Sequence, residues 1–93
     1  MIESLVGTFE EMPLNPGIDV YEIKFKSEAK LSCCFASVAE LNAYGEPQVA
    51  SANLMVMNTG IIPGEEAGEW KVRVRISSSW AGVLKGCIAL LCV

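Results

Sequence analysis

The residues best equipped for chemistry are four cysteines, Cys33, Cys34, Cys87 and Cys92, and two carboxylate pairs, Glu10-Glu11 and Glu65-Glu66. A serine run, Ser77-Ser78-Ser79, lies shortly before Lys85. The chain has no histidine. That removes the commonest general base, the commonest metal ligand and every Ser–His or Cys–His nucleophile pair. Both carboxylate pairs fall in stretches that read as loops, where a solvated charge is the default. A Ser–Lys dyad needs a depressed lysine pKa and an oxyanion hole. No local motif supplies either, and the serine run reads as a polar strand end. The stretch Gly64-Glu65-Glu66-Ala67-Gly68 lacks the lysine of a phosphate loop and is acidic. The expectation is a non-enzymatic chain with no catalytic, cofactor-binding or metal-binding residues.

The cysteines permit three readings. Four thiolates can hold zinc, but structural zinc sites space their cysteines, and Cys33 and Cys34 are adjacent. Neighbours in a strand point to opposite faces. A disulfide therefore requires two adjacent strands in register, with at most one pair on each face. A free cysteine behaves as a small buried hydrophobe. Reduced packing cysteines are the favoured reading.

Whatever positions these residues is built from an apolar chain. Counted with glycine and without tyrosine, 54 of the 93 residues, about 58%, are apolar, against roughly 45–50% for an ordinary soluble domain. A chain of this length forms one domain and buries only about 60–70% of its unfolded surface. The surplus apolar surface is therefore expected to meet something other than water. The longest apolar run is Ile88 to Val93, far short of a membrane span. Residues 1–23 carry no lysine or arginine, so the N-terminus does not read as a secretory signal. The expected site of synthesis is the cytoplasm. The net charge is −4, which suits neither nucleic acid nor a membrane surface as a partner. The cations sit in two clusters, Lys24/Lys26/Lys30 and Lys71/Arg73/Arg75, plus Lys85.

Turn signals fall at Pro13–Gly17, Asn42–Pro47, Asn58–Gly68 and Ser79–Gly82, separating segments of about 8 to 12 residues. Residues 18–26 and 69–77 alternate strictly. Tyr21, Ile23 and Phe25, and likewise Trp70, Val72, Val74 and Ile76, face one way, with charged residues facing the other. Segments 31–41, 48–58 and 83–93 are apolar or small on both faces. Residues 2–9 form a weaker strand. A helix over 32–42 is the less favoured alternative there. The predicted fold is all-β: a small antiparallel β-sandwich of about five or six strands, Ig-like or jelly-roll-like. It is a single domain over residues 1–93, with 1–17 an N-terminal arm or edge strand.

Two-sided apolar strands fit an obligate interface, which resembles a domain core cut in half. The expected interface residues are Trp80, Leu84, Ile88, Leu90, Leu91, Val93, Leu54 and Val56. In size, composition and architecture the chain is similar to the small β-sandwich decoration (cement) proteins of phage capsids. That similarity implies a homo-oligomeric structural subunit, a dimer or trimer, bound to a larger protein scaffold in a virion. The alternative is a small ligand-binding module whose apolar pocket is lined by Met55, Met57, Phe35 and Trp70.

Overall fold

A computed structural model describes residues 6–50 and 52–93. Seven strands and no helix occur among them: β1 Val6–Leu14, β2 Gly17–Lys26, β3 Cys34–Leu41, β4 Pro47–Gln48, β5 Leu54–Pro63, β6 Glu69–Ser78 and β7 Leu84–Cys92. They form two antiparallel sheets. One has the order β1-β7-β3-β4 and the other β2-β6-β5.

The chain pairs from its two ends inward. β1 pairs with β7 from Val6↔Cys92 to Leu14↔Leu84. β2 then pairs with β6 from Gly17↔Ser78 to Lys26↔Glu69. One long two-stranded ribbon thus bends from the first sheet into the second. The bend passes through Asn15-Pro16 on one limb and 79–83 on the other. Gly17 permits it with a φ of 78°, a conformation that a side chain disfavours. A ribbon folded over on itself is jelly-roll winding. An immunoglobulin domain instead places its first strand beside its second.

The alternating segments behave as their pattern dictates. Val72, Val74 and Ile76 of β6 and Ile23 of β2 are buried between the sheets. Leu14, Ile88, Leu90 and Cys92 meet them from the other side. Leu14, which reads as a turn residue, is the last residue of β1 and fully buried. Gly86 makes room for it, since a Cβ at that position would overlap Cγ and Cδ1 of Leu14. Gly86→Ala is therefore expected to destabilise the fold by about 1–3 kcal/mol through overpacking. Urea denaturation checks this, and an unchanged midpoint contradicts the packing.

Three boundaries differ from the sequence reading. The first strand runs to Leu14 and is an edge strand of its sheet. The described residues begin at Val6, so the earlier part of the expected 2–9 strand lies outside them. The expected 48–58 strand is instead the short β4 and a later β5. The turn propensity of Asn58-Thr59-Gly60 yields to continuous pairing with β6. A bulge at Met57 explains how β5 accommodates this stretch, because the register shifts between Val56 and Asn58. The extra residue resets the alternation. Leu54 and Val56 face inward before it, and Thr59 and Ile61 after it.

The cysteine reading is also corrected. β3 and β7 are neighbours, and Cys34 lies directly opposite Cys92 with their Cα atoms 4.0 Å apart. The two are joined by a disulfide. Cys33 and Cys87 remain free.

Candidate functional site

Among the described residues, no strand covers the outer face of the four-stranded sheet, and only the turn at 42–47 stands against one end of it. Because β7 lies between β1 and β3, the register assembles rows across that face. Gly7, Leu91 and Phe35 form one row. Phe9, Ala89 and Ser37 form the next, and Glu11, Cys87 and Ala39 the third. Phe9 is 71% exposed, Phe35 60% and Leu91 44%. Large apolar side chains thus stand in water around a floor of small ones. Phe9, Ser37, Ala39, Cys87 and Ala89 line an open depression of about 410 Å³. The turn at Gly45 and Pro47 walls its other end. Asn42 holds that turn by accepting the N–H groups of Tyr44 and Glu46, at 2.9 and 3.0 Å, on its Oδ1. Gly45 there has a φ of 79°.

Burial pushes the Cys87 thiol upward, and the neighbouring Glu11 carboxylate adds to the shift, so the nucleophilic thiolate is disfavoured. Among the described residues, no three of His, Cys, Asp or Glu are grouped to hold a metal ion. Glu10 and Glu11 lie on strand β1 rather than in a loop. Ser78 and Ser79 accept the N–H groups of Trp80 and Asn53, at 3.3 and 2.7 Å. Their hydroxyls help to shape the ribbon bend.

The expected interface residues separate into two groups. Leu91 and Trp80 are exposed, and Val93 is half-buried. Ile88 and Leu90 are instead core residues, 0% and 3% exposed. Leu84, Leu54 and Val56 also point inward and pack against the core. The reason is parity: in β7 the even-numbered residues face the other sheet and the odd-numbered ones face solvent. Phe9 and Phe35 went unrecognised as members of the surface. Each is one aromatic in a short strand, and only the register brings them to adjacent rows, Phe35 beside Leu91 and Phe9 beside Ala89.

The expected ligand pocket does not form. Phe35 lies on the outer face of the first sheet. Met55 and Met57 are on the outer face of the second, 58% and 47% exposed. Trp70 is directed toward the core, with its Nε1 donating to the Ser27 carbonyl at 3.2 Å.

The outer face of the second sheet carries charged residues at its centre beside the exposed Ile18, Val20, Met55, Met57 and Ile62. Lys24 is paired with Lys71, and Glu22 with Arg73, so the two basic clusters lie side by side. Acidic side chains largely offset them. Arg73 Nε lies 3.1 Å from Glu22, Lys71 3.6 Å from Glu65, and Lys26 3.5 Å from Glu66. The Arg73 hydrogen bond holds the Glu22 carboxyl below its ordinary value of 4.5. A depressed carboxylate contributes stability above its unfolded pKa and loses it as pH falls through the folded one. The pair is solvent-exposed, so its contribution is small and screened by salt. Arg73→Gln is expected to return the Glu22 titration toward 4.5, as followed by carboxyl NMR. An unmoved titration removes Arg73 as the cause.

Comparison with protein-family models, with curated proteins and with solved structures gave no match.

Proposed function

We propose that this protein is a non-enzymatic structural subunit that associates with copies of itself through the outer face of its four-stranded sheet. The observation that carries the reading is the exposed trio Phe9, Phe35 and Leu91, from two adjacent rows, around the small-residue floor of Ala39, Ala89 and Cys87. Side chains of this kind anchor interfaces when they enter a partner's depression. Two copies packed face to face can each place Phe9 or Phe35 in the trough of the other. The particular role we propose is that of a capsid decoration protein, which binds a larger protein scaffold in a virion. Its size and two-sheet architecture support that role. The Cys34–Cys92 disulfide adds to it, since such bonds persist on virion surfaces and in other oxidising settings.

Light scattering of the full chain across a dilution series tests self-association. A dimer or trimer is expected, and Phe35→Glu combined with Leu91→Glu is expected to reduce it to monomer while the unfolding midpoint changes little. A wild-type monomer at all concentrations overturns the reading. The decoration role predicts the chain at stoichiometric copy number in purified particles from its native source. Its absence from them refutes that role.

A further inference from the structure

We propose a second self-association surface, the outer edge of β5 between Asn58 and Ile62, which pairs antiparallel with the same edge of a second copy. Among the described residues, β5 has a ladder only with β6, on its inner side. It lies beside β3 across the sandwich without a backbone hydrogen bond to it. An edge strand presents unpaired N–H and C=O groups that another strand satisfies directly.

The four sheet edges are not equivalent. β1 carries Glu10, Glu11 and Pro13. β2 carries Asp19, Glu22, Lys24 and Lys26. β4 is only two residues long and begins with Pro47; it pairs with β3 only at Glu40 and Leu41, so residues 34–39 of β3 form a second uncharged edge. Charge, proline and brevity are the usual protections of an edge. β5 is ten residues long and has no charged side chain. Its bulge at Met57 and its terminal Pro63 restrict pairing to the segment between them. The edge is also uncharged on both faces, with one isoleucine on each. Ile62 is 43% exposed on the outside, and the inward-facing Thr59 and Ile61 are only half-buried.

The occupant follows from charge and symmetry. A two-fold axis across an antiparallel edge brings like residues toward each other. On β1 or β2 that juxtaposes like charges, whereas on β5 it juxtaposes none. Pairing two copies therefore makes one six-stranded sheet, β2-β6-β5 continued into β5-β6-β2 of the second copy. This surface is separate from the outer face of the other sheet. A molecule with both surfaces builds assemblies larger than a dimer.

Gly60→Glu tests the inference in the full chain. A side chain at Gly60 meets nothing within 4 Å, and its partner across the ladder is Arg73, so the fold accepts a glutamate. In the paired edge, two such glutamates repel across the axis. Ile62→Glu, opposite Lys71, sets a charge on the same edge, facing Asn58 of the second copy when Gly60 lies on the axis. Each is expected to weaken association by about tenfold or more, read as solution mass against concentration. Val20→Glu, on the β2 edge opposite Arg75, is expected to leave the mass unchanged. In the wild type, amides of 58–62 are expected to exchange more slowly as concentration rises. A fall in mass with Gly60→Glu but not with the Phe35/Leu91 variant supports the edge and rejects the face. The reverse overturns the edge alone. A wild-type monomer, or amide exchange in 58–62 that ignores concentration, overturns the edge whatever the variants do.

Discussion

Ile88→Ala is expected to lower the unfolding free energy by about 2–5 kcal/mol, the range for truncating a fully buried aliphatic side chain. Ile88 is 0% exposed. It occupies the middle of β7, which is flanked along its whole length by β1 and along most of it by β3. It shares one core cluster with Val72, Val74 and Ile76 on the central strand of the second sheet. Neither central strand can shift without breaking two ladders, so the cavity left by truncation collapses poorly. The loss therefore falls toward the upper part of the range. Leu91, three residues later on the opposite face, is the control. Leu91→Ala is expected to change monomer stability by less than about 1 kcal/mol and to act on self-association instead. Urea denaturation of both variants at low concentration makes the comparison. Equal losses at the two positions contradict the division of β7 into a core face and an outer face.

Removing the Cys34–Cys92 disulfide has an effect of similar size. The bond joins residues 58 positions apart in sequence. Closing a loop of that length restricts the unfolded chain by roughly 4 kcal/mol in the loop-entropy description, with removals of native bonds typically measured at about 2–5 kcal/mol. It also ties the C-terminal end of β7 to the start of β3, where the backbone of Val93 bonds to that of Cys33 in both directions, at 2.8 and 3.1 Å. The Cys34→Ala/Cys92→Ala variant is expected to melt roughly 10–25 °C below the oxidised wild type. Reducing the wild type should reproduce most of that shift. Thiol titration of the unfolded, unreduced chain is expected to find two thiols, those of Cys33 and Cys87. Four thiols there refute the bond.

The strands that alternate were legible as written. In β2 and β6 the charged residues can tolerate only one face, so the pattern alone set both the period and the side. β7 was legible as a strand but not as to which side it buries, because both of its faces are apolar. Hence Ile88 and Leu91 looked alike, and only the packing of Ile88 against β6 separated them. The β5 boundaries were misplaced because Asn58-Thr59-Gly60 has strong local turn propensity. Ladder bonds to β6 outweigh it, and a single bulged residue restores the inward row. The disulfide was a question of register. That Cys33 and Cys34 point to opposite faces was visible, but not which of them meets a cysteine of β7.

The period-two pattern, the turn residues and the absence of long apolar runs established an all-β domain, because they act through neighbours along the chain. The surplus of apolar residues also pointed to surface left over after folding, since that follows from counting alone. Where the surplus lies was decided by tertiary structure. Phe9, Phe35 and Leu91 come from three strands far apart in sequence and share a surface only because β7 is inserted between β1 and β3. Likewise, β5 is an unprotected edge only because the folded ribbon places β6 at the centre of its sheet. Strand order depends on the free energy of the whole packed ribbon, and no local stretch of sequence carries it.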